Sequence, residues 1–266
     1  MSKVKTDILR EITAHKRREL EDIFSDKGRD ALLESIKGEV KGADPVRDFA
    51  AALRRGGTNI IAEVKKASPS KGIFREDFDP VKIAETYATN GAAAISVLTD
   101  SRYFMGSLDN LVHIREHIDL PLLRKDFIID AYQIYEARVA GADAILLIAA
   151  VLDDAELCEF LELATSLGMA SLVEVHSEAE LTRALEAGAE IIGINNRDLT
   201  TFETNIDTTR RLSALIPEGK VIVSESGIGG RADIDSLKGA SVDAFLIGEA
   251  IITAPDMAVK LREFIG

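Results

Sequence analysis

The sequence predicts an α/β fold of the (β/α)8 TIM-barrel class, preceded by an N-terminal helical extension. A unit of amphipathic helix, glycine and apolar strand recurs from residue 59 to the end of the 266-residue chain. Parallel strands need helical crossovers, and this alternation supplies them. The strands number eight, which is the number that closes a barrel of roughly 250 residues. An open, doubly wound sheet is the alternative fold for such an alternation.

Most strands are predicted where a short apolar run follows a glycine that ends the preceding helix. The glycines in this position are Gly91, Gly141, Gly168, Gly188, Gly219 and Gly239. The other two strands cover residues 60–65 and the run that begins at Pro121. All eight are short and rich in Val, Ile, Leu and Ala, as expected of strands buried on both faces.

Three helices are predicted ahead of the first strand. The first covers roughly residues 6–24, the second lies near residues 31–36, and the third covers residues 45–54 with Asp44 as N-cap and Pro45 at the first helical position. We therefore assign residues 1–58 to the extension of a single barrel domain that spans residues 1–266. An added helix can cover an open barrel mouth, so we expect the extension to contribute to substrate affinity.

Composition narrows the class of protein. The chain is 46% hydrophobic with a formal net charge of −13, which argues against a nucleic-acid partner. A small phosphorylated ligand stays possible, because backbone amides bind phosphate regardless of net charge. One cysteine and no apolar run of ~20 residues predict a cytoplasmic protein without disulfides or a membrane span. The first helix is charged and lacks the apolar centre of a signal peptide. We expect a monomer.

The stretch NIIAEVKKASPSKG at residues 59–72 carries the clearest chemical signal. Side chains alternate along a strand, so Glu63 and Lys65 point to the same side of an otherwise apolar strand. Charges at the carboxyl end of a barrel strand, followed by a polar loop, are typical of a TIM-barrel active site. The alternative is a satisfied ion pair in a structural strand.

Other strand ends add polar groups to the same edge. Lys125 shares a face with Leu123, whereas Arg124 is expected to point outward. Glu174 ends the fifth strand, and His176 is expected to face away from it towards the next helix. Glycine-rich turns after the last two strands predict a phosphate site on backbone amides. No His/Cys/carboxylate cluster has metal-ligand spacing and no GxGxxG follows the first strand, so we predict no metal and no other cofactor.

The chain resembles the indole-3-glycerol-phosphate synthase family. The motifs that carry the resemblance are EVKKASPSKG at 63–72, LTD at 98–100, YFMGS at 103–107, LRKDFI at 123–128, LVEV at 172–175, GINNRDL at 193–199, ESGI at 225–228 and GEA at 248–250. The resemblance implies a barrel that converts 1-(2-carboxyphenylamino)-1-deoxyribulose 5-phosphate to indole-3-glycerol phosphate, carbon dioxide and water. This is a carboxy-lyase reaction of tryptophan biosynthesis that needs no cofactor.

The resemblance and the residue chemistry together assign the candidate site. The predicted catalytic residues are Glu63, Lys65, Lys125, Glu174, Asn195 and Ser226. The predicted substrate- and phosphate-binding residues are Ser68, Ser70, Phe104, Arg197, Gly227, Leu246, Gly248 and Glu249. We expect Lys125 to be the acid for ring closure, and Lys65 and Glu174 to be the acid and base for loss of water.

Two rival functions fit the same fold. The first is a Schiff-base aldolase that uses Lys125 or Lys65 as its covalent amine. The second is a non-catalytic barrel that binds a phosphosugar as a sensor. The opposed charges of Glu63, Lys65, Lys125 and Glu174 argue against the sensor, because binding alone does not need them.

Overall fold

A computed structural model describes residues 8–198 and 203–266 of the chain. Eight parallel strands form a closed barrel, so the predicted TIM barrel is confirmed. The strands are β1 (Asn59–Val64), β2 (Ala94–Leu98), β3 (Leu122–Lys125), β4 (Ala144–Ile148), β5 (Ala170–Val175), β6 (Ile191–Asn195), β7 (Val221–Glu225) and β8 (Ala244–Ile247). Each strand pairs with its neighbours in chain order, and β1 closes the ring by pairing with β8.

Helices alternate with these strands and cover the outside of the barrel. Ahead of β1 lie α1 (Ile8–Phe24), α2 (Arg29–Val40) and α3 (Phe49–Leu53). The later helices are α4 (Pro80–Thr89), α5 (Ser101–Phe104), α6 (Leu108–Arg115), α7 (Ala131–Val139), α8 (Asp154–Ser166), α9 (Glu178–Glu186), α10 (Asp207–Ser213), α11 (Arg231–Ser236), α12 (Glu249–Ile252) and α13 (Met257–Ile265). Residue 6, where the first helix was predicted to begin, and Leu199 of one motif lie outside the described residues.

Alternation along each strand divides the core into two layers. On β1, Ile60, Ala62 and Val64 pack against the surrounding helices. Ile61 belongs instead to a separate cluster inside the barrel, with apolar side chains from the other strands. This division places Glu63 on the inner side of the sheet, as the period-2 pattern predicts.

The third helix also belongs to the barrel interior, because Phe49 and Leu53 of α3 are buried within the inner cluster. The prediction that this helix begins at Pro45 behind an Asp44 cap was wrong. Its N-cap is Asp48, whose carboxylate accepts a hydrogen bond from the Ala51 amide at 2.8 Å. Several residues near this start can cap a helix, and docking of Phe49 into the barrel selects the later one.

The prediction that a left-handed glycine precedes each of these strands is confirmed for most strands and is wrong for one. Gly91, Gly141 and Gly188, for example, all follow a helix with positive φ, as predicted. Gly239 does not adopt a left-handed conformation, and Ser241 takes that role with φ of 50°. None of the helices within residues 8–198 and 203–266 combines the length and the apolar character that crossing a membrane requires.

Helix α1 lies over the mouth of the barrel. Ile12, Lys16 and Leu20 are its buried residues, spaced one helical turn apart. The ammonium of Lys16 lies 3.2 Å from Asp126 Oδ1 and 3.3 Å from Asp100 Oδ2, after strands β3 and β2. The extension is therefore joined to the barrel by a buried ion-pair cluster as well as by apolar contacts.

Candidate active site

A cavity of about 570 Å³ opens at the carboxyl end of the barrel. Every residue predicted for catalysis or substrate binding lines it, although the role of each one stays a prediction. Ile8, Leu9 and Ile12 of α1 line the same cavity from above. The strand ends therefore bring together side chains that are scattered along the chain, as the barrel topology requires.

Lys125 occupies the centre of the charged groups. Its Nζ lies 3.0 Å from Glu174 Oε2 and 2.9 Å from Glu225 Oε2. Glu225 ends β7 and is not among the catalytic or binding residues predicted from the sequence. The signal was present, because Glu225 alternates with the inward-facing Val221 and Val223 in the same way as Glu174 alternates with Leu172.

Burial and charge act in opposite directions on Lys125. Burial alone would lower the pKa of its ammonium, but Glu174, Glu225 and Glu63 together raise it above the ordinary lysine value. Lys125 is therefore a fully charged ammonium at neutral pH. A group in this state can polarise and protonate a carbonyl oxygen that replaces one of its carboxylate partners.

The two carboxylates beside Lys125 differ in charge state. Burial raises the pKa of Glu225, and the nearby charge of Glu174 adds to that effect. Burial would also raise the pKa of Glu174, but Lys125 and His176 lower it below the ordinary value. Glu174 is therefore the ionised partner, and Glu225 is the one that holds a proton more readily.

The second lysine forms its own pair beside this centre. Lys65 Nζ lies 2.5 Å from Glu63 Oε1, and both side chains are largely buried. The same ammonium also lies 5.4 Å from the centre of the Phe74 ring, within the range of a cation–π contact. Lys65 is thus held in a single region of the cavity, close to the polar loop that follows β1.

His176 lies closer to the site than the sequence suggested. Strand alternation predicted that it faces away from Glu174, but its Nε2 lies 3.5 Å from Glu174 Oε1. The strand ends at Val175, so His176 leaves the period-2 pattern and its ring turns back. Burial alone would lower its pKa, but the hydrogen bond that its ring donates to Glu180 and the charge of Glu174 raise it above the ordinary value.

Arg124 follows the prediction that it points outward, yet it is fully enclosed between the barrel and its helices. Its guanidinium contacts Asp126 at 3.3 Å and Glu136 at 2.8 Å. Asp126 also accepts a hydrogen bond of 2.5 Å from Thr99 and approaches Lys16. This network lies behind Lys125 and fixes the end of β3.

The turns after β7 and β8 form the predicted anion corner. Ser226 and Gly227 both adopt positive φ, of 65° and 77°. Gly248 precedes α12, and the Glu249 carboxylate pairs with Lys71 across the cavity entrance. A Cβ added at Gly248 would collide with the Glu63 carboxylate. Such a Cβ would therefore displace a predicted catalytic group as well as obstruct the backbone amides of the corner.

The remaining predicted residues complete the walls. Phe104 packs near Phe127 with ring centres 6.2 Å apart, which gives the cavity an aromatic side. Leu246 is buried on the inner face of β8. The side chain of Asn195 hydrogen-bonds to Glu174 and accepts a bond of 3.0 Å from the Arg197 amide. The cavity thus has an aromatic wall, a charged floor and a glycine-rich corner, which suits an aromatic phosphorylated ligand.

No group of three or more histidine, cysteine or carboxylate side chains is arranged to hold a metal ion within the described ranges, 8–198 and 203–266. The absence of a metal and of other cofactors stays a prediction.

Comparison with known proteins gives a consistent result. The sequence model of a family described as indole-3-glycerol phosphate synthase matches residues 9–264. The protein of that name from Roseiflexus sp. (strain RS-1) is 54% identical over 269 aligned positions, which cover 97% of this chain and 98% of the relative. Its namesake from Polaromonas naphthalenivorans (strain CJ2) is 51% identical over 261 residues, covering 98% and 99%.

A solved structure of 3-hexulose-6-phosphate synthase from Salmonella typhimurium matches with a TM-score of 0.63 and 15% identity. It covers 78% of this chain and 96% of the solved chain. At this level of identity the likeness concerns the barrel fold alone.

Proposed function

This chain belongs to the indole-3-glycerol phosphate synthase family, and we propose how its own residues carry out that reaction. Its function is that of a decarboxylating lyase in tryptophan biosynthesis. The substrate is 1-(2-carboxyphenylamino)-1-deoxyribulose 5-phosphate, and the products are indole-3-glycerol phosphate, carbon dioxide and water. The single observation that supports the proposal most is the buried lysine between two carboxylates at the centre of the cavity.

Ring closure depends on Lys125. The substrate ketone must be polarised so that the aromatic carbon bearing the carboxylate can attack it. The Lys125 ammonium donates a proton to the ketone oxygen as the new carbon–carbon bond forms. Carbon dioxide then leaves with the electron pair that restores the aromatic ring. Glu174 and Glu225 keep the lysine charged and aimed before substrate arrives.

Loss of water needs a second acid and a base. Lys65 donates a proton to the hydroxyl group that ring closure created, and Glu63 holds Lys65 in position. Glu174 removes a proton from the five-membered ring, so that the indole double bond forms. Glu174 then returns its proton to Lys125, which lies 3.0 Å away. Two protons are donated and one is accepted, so each turnover takes up one proton from solvent.

Substrate recognition divides between two walls of the cavity. The backbone amides of Gly227, Gly248 and Glu249 bind the phosphate, with the hydroxyls of Ser68 and Ser70 at the same entrance. Phe104 and Leu246 contact the aromatic ring, and Arg197 binds the substrate carboxylate or hydroxyls.

Two further residues act through their neighbours. Asn195 orients Glu174 through their hydrogen bond. Ser226 holds the turn after β7 through its backbone oxygen, which accepts a bond of 3.0 Å from Asn196.

The setting of the enzyme is also part of the proposal. We infer a single barrel domain over residues 1–266, in which 1–58 form the extension. We infer a cytoplasmic monomer that binds a small phosphorylated substrate and no nucleic acid. The net charge of −13 and the single cysteine support these inferences.

The direct test is turnover of the carboxyphenylamino substrate by purified protein, followed by the appearance of indole fluorescence. The expected result is formation of indole-3-glycerol phosphate without added metal or cofactor. Borohydride reduction in the presence of substrate provides the control for the aldolase alternative. A stable covalent adduct on a lysine, without indole formation, would overturn the proposal in favour of Schiff-base chemistry.

A further inference from the structure

The two carboxylates that flank Lys125 are nearly equivalent in distance but not in surroundings. Glu174 Oε2 and Glu225 Oε2 lie 3.0 and 2.9 Å from the lysine Nζ. The other oxygen of Glu174 faces His176 at 3.5 Å, and Asn195 also donates to this carboxylate. The other oxygen of Glu225 is buried against Gly193 and accepts no hydrogen bond from the described residues. His176 is thus the charged group that distinguishes the two.

The ring of His176 is anchored on its far side by Glu180. Nδ1 lies 3.2 Å from Glu180 Oε2, and the same oxygen accepts the His176 backbone amide at 2.8 Å. The second oxygen of Glu180 accepts a bond of 3.1 Å from Ser177. Glu180 accepts Nδ1–H, and Nε2 of the ring lies 3.5 Å from Glu174 Oε1, an ion-pair distance without a hydrogen bond between them. An imidazole between two carboxylates favours the doubly protonated, charged form.

Other charged groups reach His176 from the surrounding elements. Glu225 on β7 also raises the pKa of His176, as Glu174 does, but from a longer distance. A second cavity, of about 970 Å³, borders His176 and Glu180 on the side away from Lys125. The charged residues that line it, besides Glu180, are Arg10, Arg17, Arg197, Arg211, Asp198 and Glu203. The arginines oppose protonation of the ring, whereas Asp198, Glu203 and the three glutamates favour it. Glu174 and Glu180 lie within 3.5 Å of the ring.

We propose that His176 is a positioning residue whose imidazolium selects Glu174, rather than Glu225, as the ionised base beside Lys125. This inference rests on the proposed function, in which Glu174 must be ionised to remove a proton. Without the imidazolium, Glu174 would keep the Asn195 hydrogen bond but lose the nearby positive charge that favours its ionised form over that of Glu225. Glu174 would then be protonated in a large fraction of molecules near neutral pH. Glu180 contributes indirectly, because it keeps the His176 ring charged.

The first experiment measures the charge on His176 without measuring activity. The chain contains four histidines, so carbon-13 labelling of the imidazole ring gives few enough signals to assign by substitution. We expect the pKa of His176 to lie above the ordinary histidine value, and the Glu180→Gln variant to lower it. If His176 titrates at or below the ordinary histidine value in the parent protein, or its pKa does not respond to Glu180→Gln, the proposal is overturned. The result stands whether or not the protein turns over the carboxyphenylamino substrate.

The second experiment measures the pH profile of kcat for His176→Gln, which keeps a hydrogen-bonding side chain and removes the charge. The limb of the profile on the acid side should move to higher pH. A shift of about one unit corresponds to a roughly tenfold loss of kcat below that limb. KM should change much less, because His176 does not border the predicted phosphate corner.

His117→Gln is the matched control, because it makes the same substitution at an exposed position in the turn after α6 and should leave the profile unchanged. An unmoved acid limb in folded His176→Gln protein would reduce His176 to a structural role and overturn the proposal. If that variant does not fold, the titration of the parent and of Glu180→Gln still decides the question. A parent protein that does not turn over the substrate contradicts the proposed function, which separates that failure from failure of the His176 inference.

Discussion

Replacing Lys16 by methionine tests how helix α1 is held over the barrel mouth. The Lys16 side chain is 5% exposed and lies between Asp100 and Asp126. Burial alone would lower the pKa of its ammonium, but Asp126, Glu19 and Asp100 raise it above the ordinary lysine value. Apart from this contact, Asp100 Oδ2 is buried without a hydrogen bond from the described residues. Methionine has a similar length, so the Lys16→Met change removes the charge and little volume.

The size of the effect follows from the two carboxylates left behind. Removing one partner of a buried ion pair costs about 3–5 kcal/mol when the other charge stays buried. Helix α1 can lift and admit water to Asp100 and Asp126. The loss of folding stability is therefore limited to the free energy with which α1 docks on the barrel. We therefore expect a loss of roughly 2–3 kcal/mol, and each kcal/mol lowers the melting temperature of a chain of this size by about 2–4 °C.

Kinetics give the second measurement on the same variant. Ile8, Leu9 and Ile12 line the cavity, so a lifted α1 should raise KM more than it lowers kcat. Lys37→Met is the control, because that lysine pairs with Glu34 on the surface of α2 and should leave both quantities unchanged. If the Lys16→Met protein has the melting temperature and KM of the parent, the ion-pair cluster does not hold α1 on the barrel.

Three further predictions concern the cavity itself. Burial and Glu174 raise the pKa of Glu225 to about 7. Below that pH the native state therefore holds a proton on Glu225 that the unfolded state has lost, and this stabilises the native state. The stabilisation is lost as the pH rises through about 7. Relative to the parent, Glu225→Gln should therefore gain in melting temperature between about pH 5 and about pH 8, and a constant difference would contradict the assignment. Gly248→Ala should lower kcat as well as substrate affinity, because its Cβ displaces Glu63, and a change in KM alone would contradict this. Inorganic phosphate should compete with substrate and raise the melting temperature, and the absence of both effects would show that the anion corner lies elsewhere.

The barrel could be predicted from the sequence because its signals are local and repeat. Each strand is a short apolar run in the sequence. Most strands follow a glycine, such as Gly91 or Gly141, which adopts positive φ and ends the preceding helix. Strand alternation was also sufficient to place Glu63, Lys125 and Glu174 inside the barrel. These residues lie on regular strands, where the direction of a side chain follows from its position.

Apart from Glu225, which lies on the regular strand β7, the residues missed in the sequence lie where that regularity ends. His176 follows the last residue of β5, so alternation placed its ring on the wrong side. Lys16 appeared as one of several charges in the middle of a helix, and its burial depends on carboxylates more than 80 residues away in the chain. Such contacts arise from tertiary structure, which periodicity within one element does not report.

Single-turnover kinetics of the Lys125→Met variant test the central claim most directly. The claim is that the ammonium between Glu174 and Glu225 protonates the substrate ketone during ring closure. Loss of a general acid typically costs ~10²–10⁴-fold in rate, so we predict a decrease in or beyond that range with substrate binding much less affected. Lys220→Met changes a lysine just before β7, at the opposite end of the barrel, and should keep the parent rate. A folded Lys125→Met protein that closes the ring within a few-fold of the parent rate would remove Lys125 from this role and transfer it to Lys65.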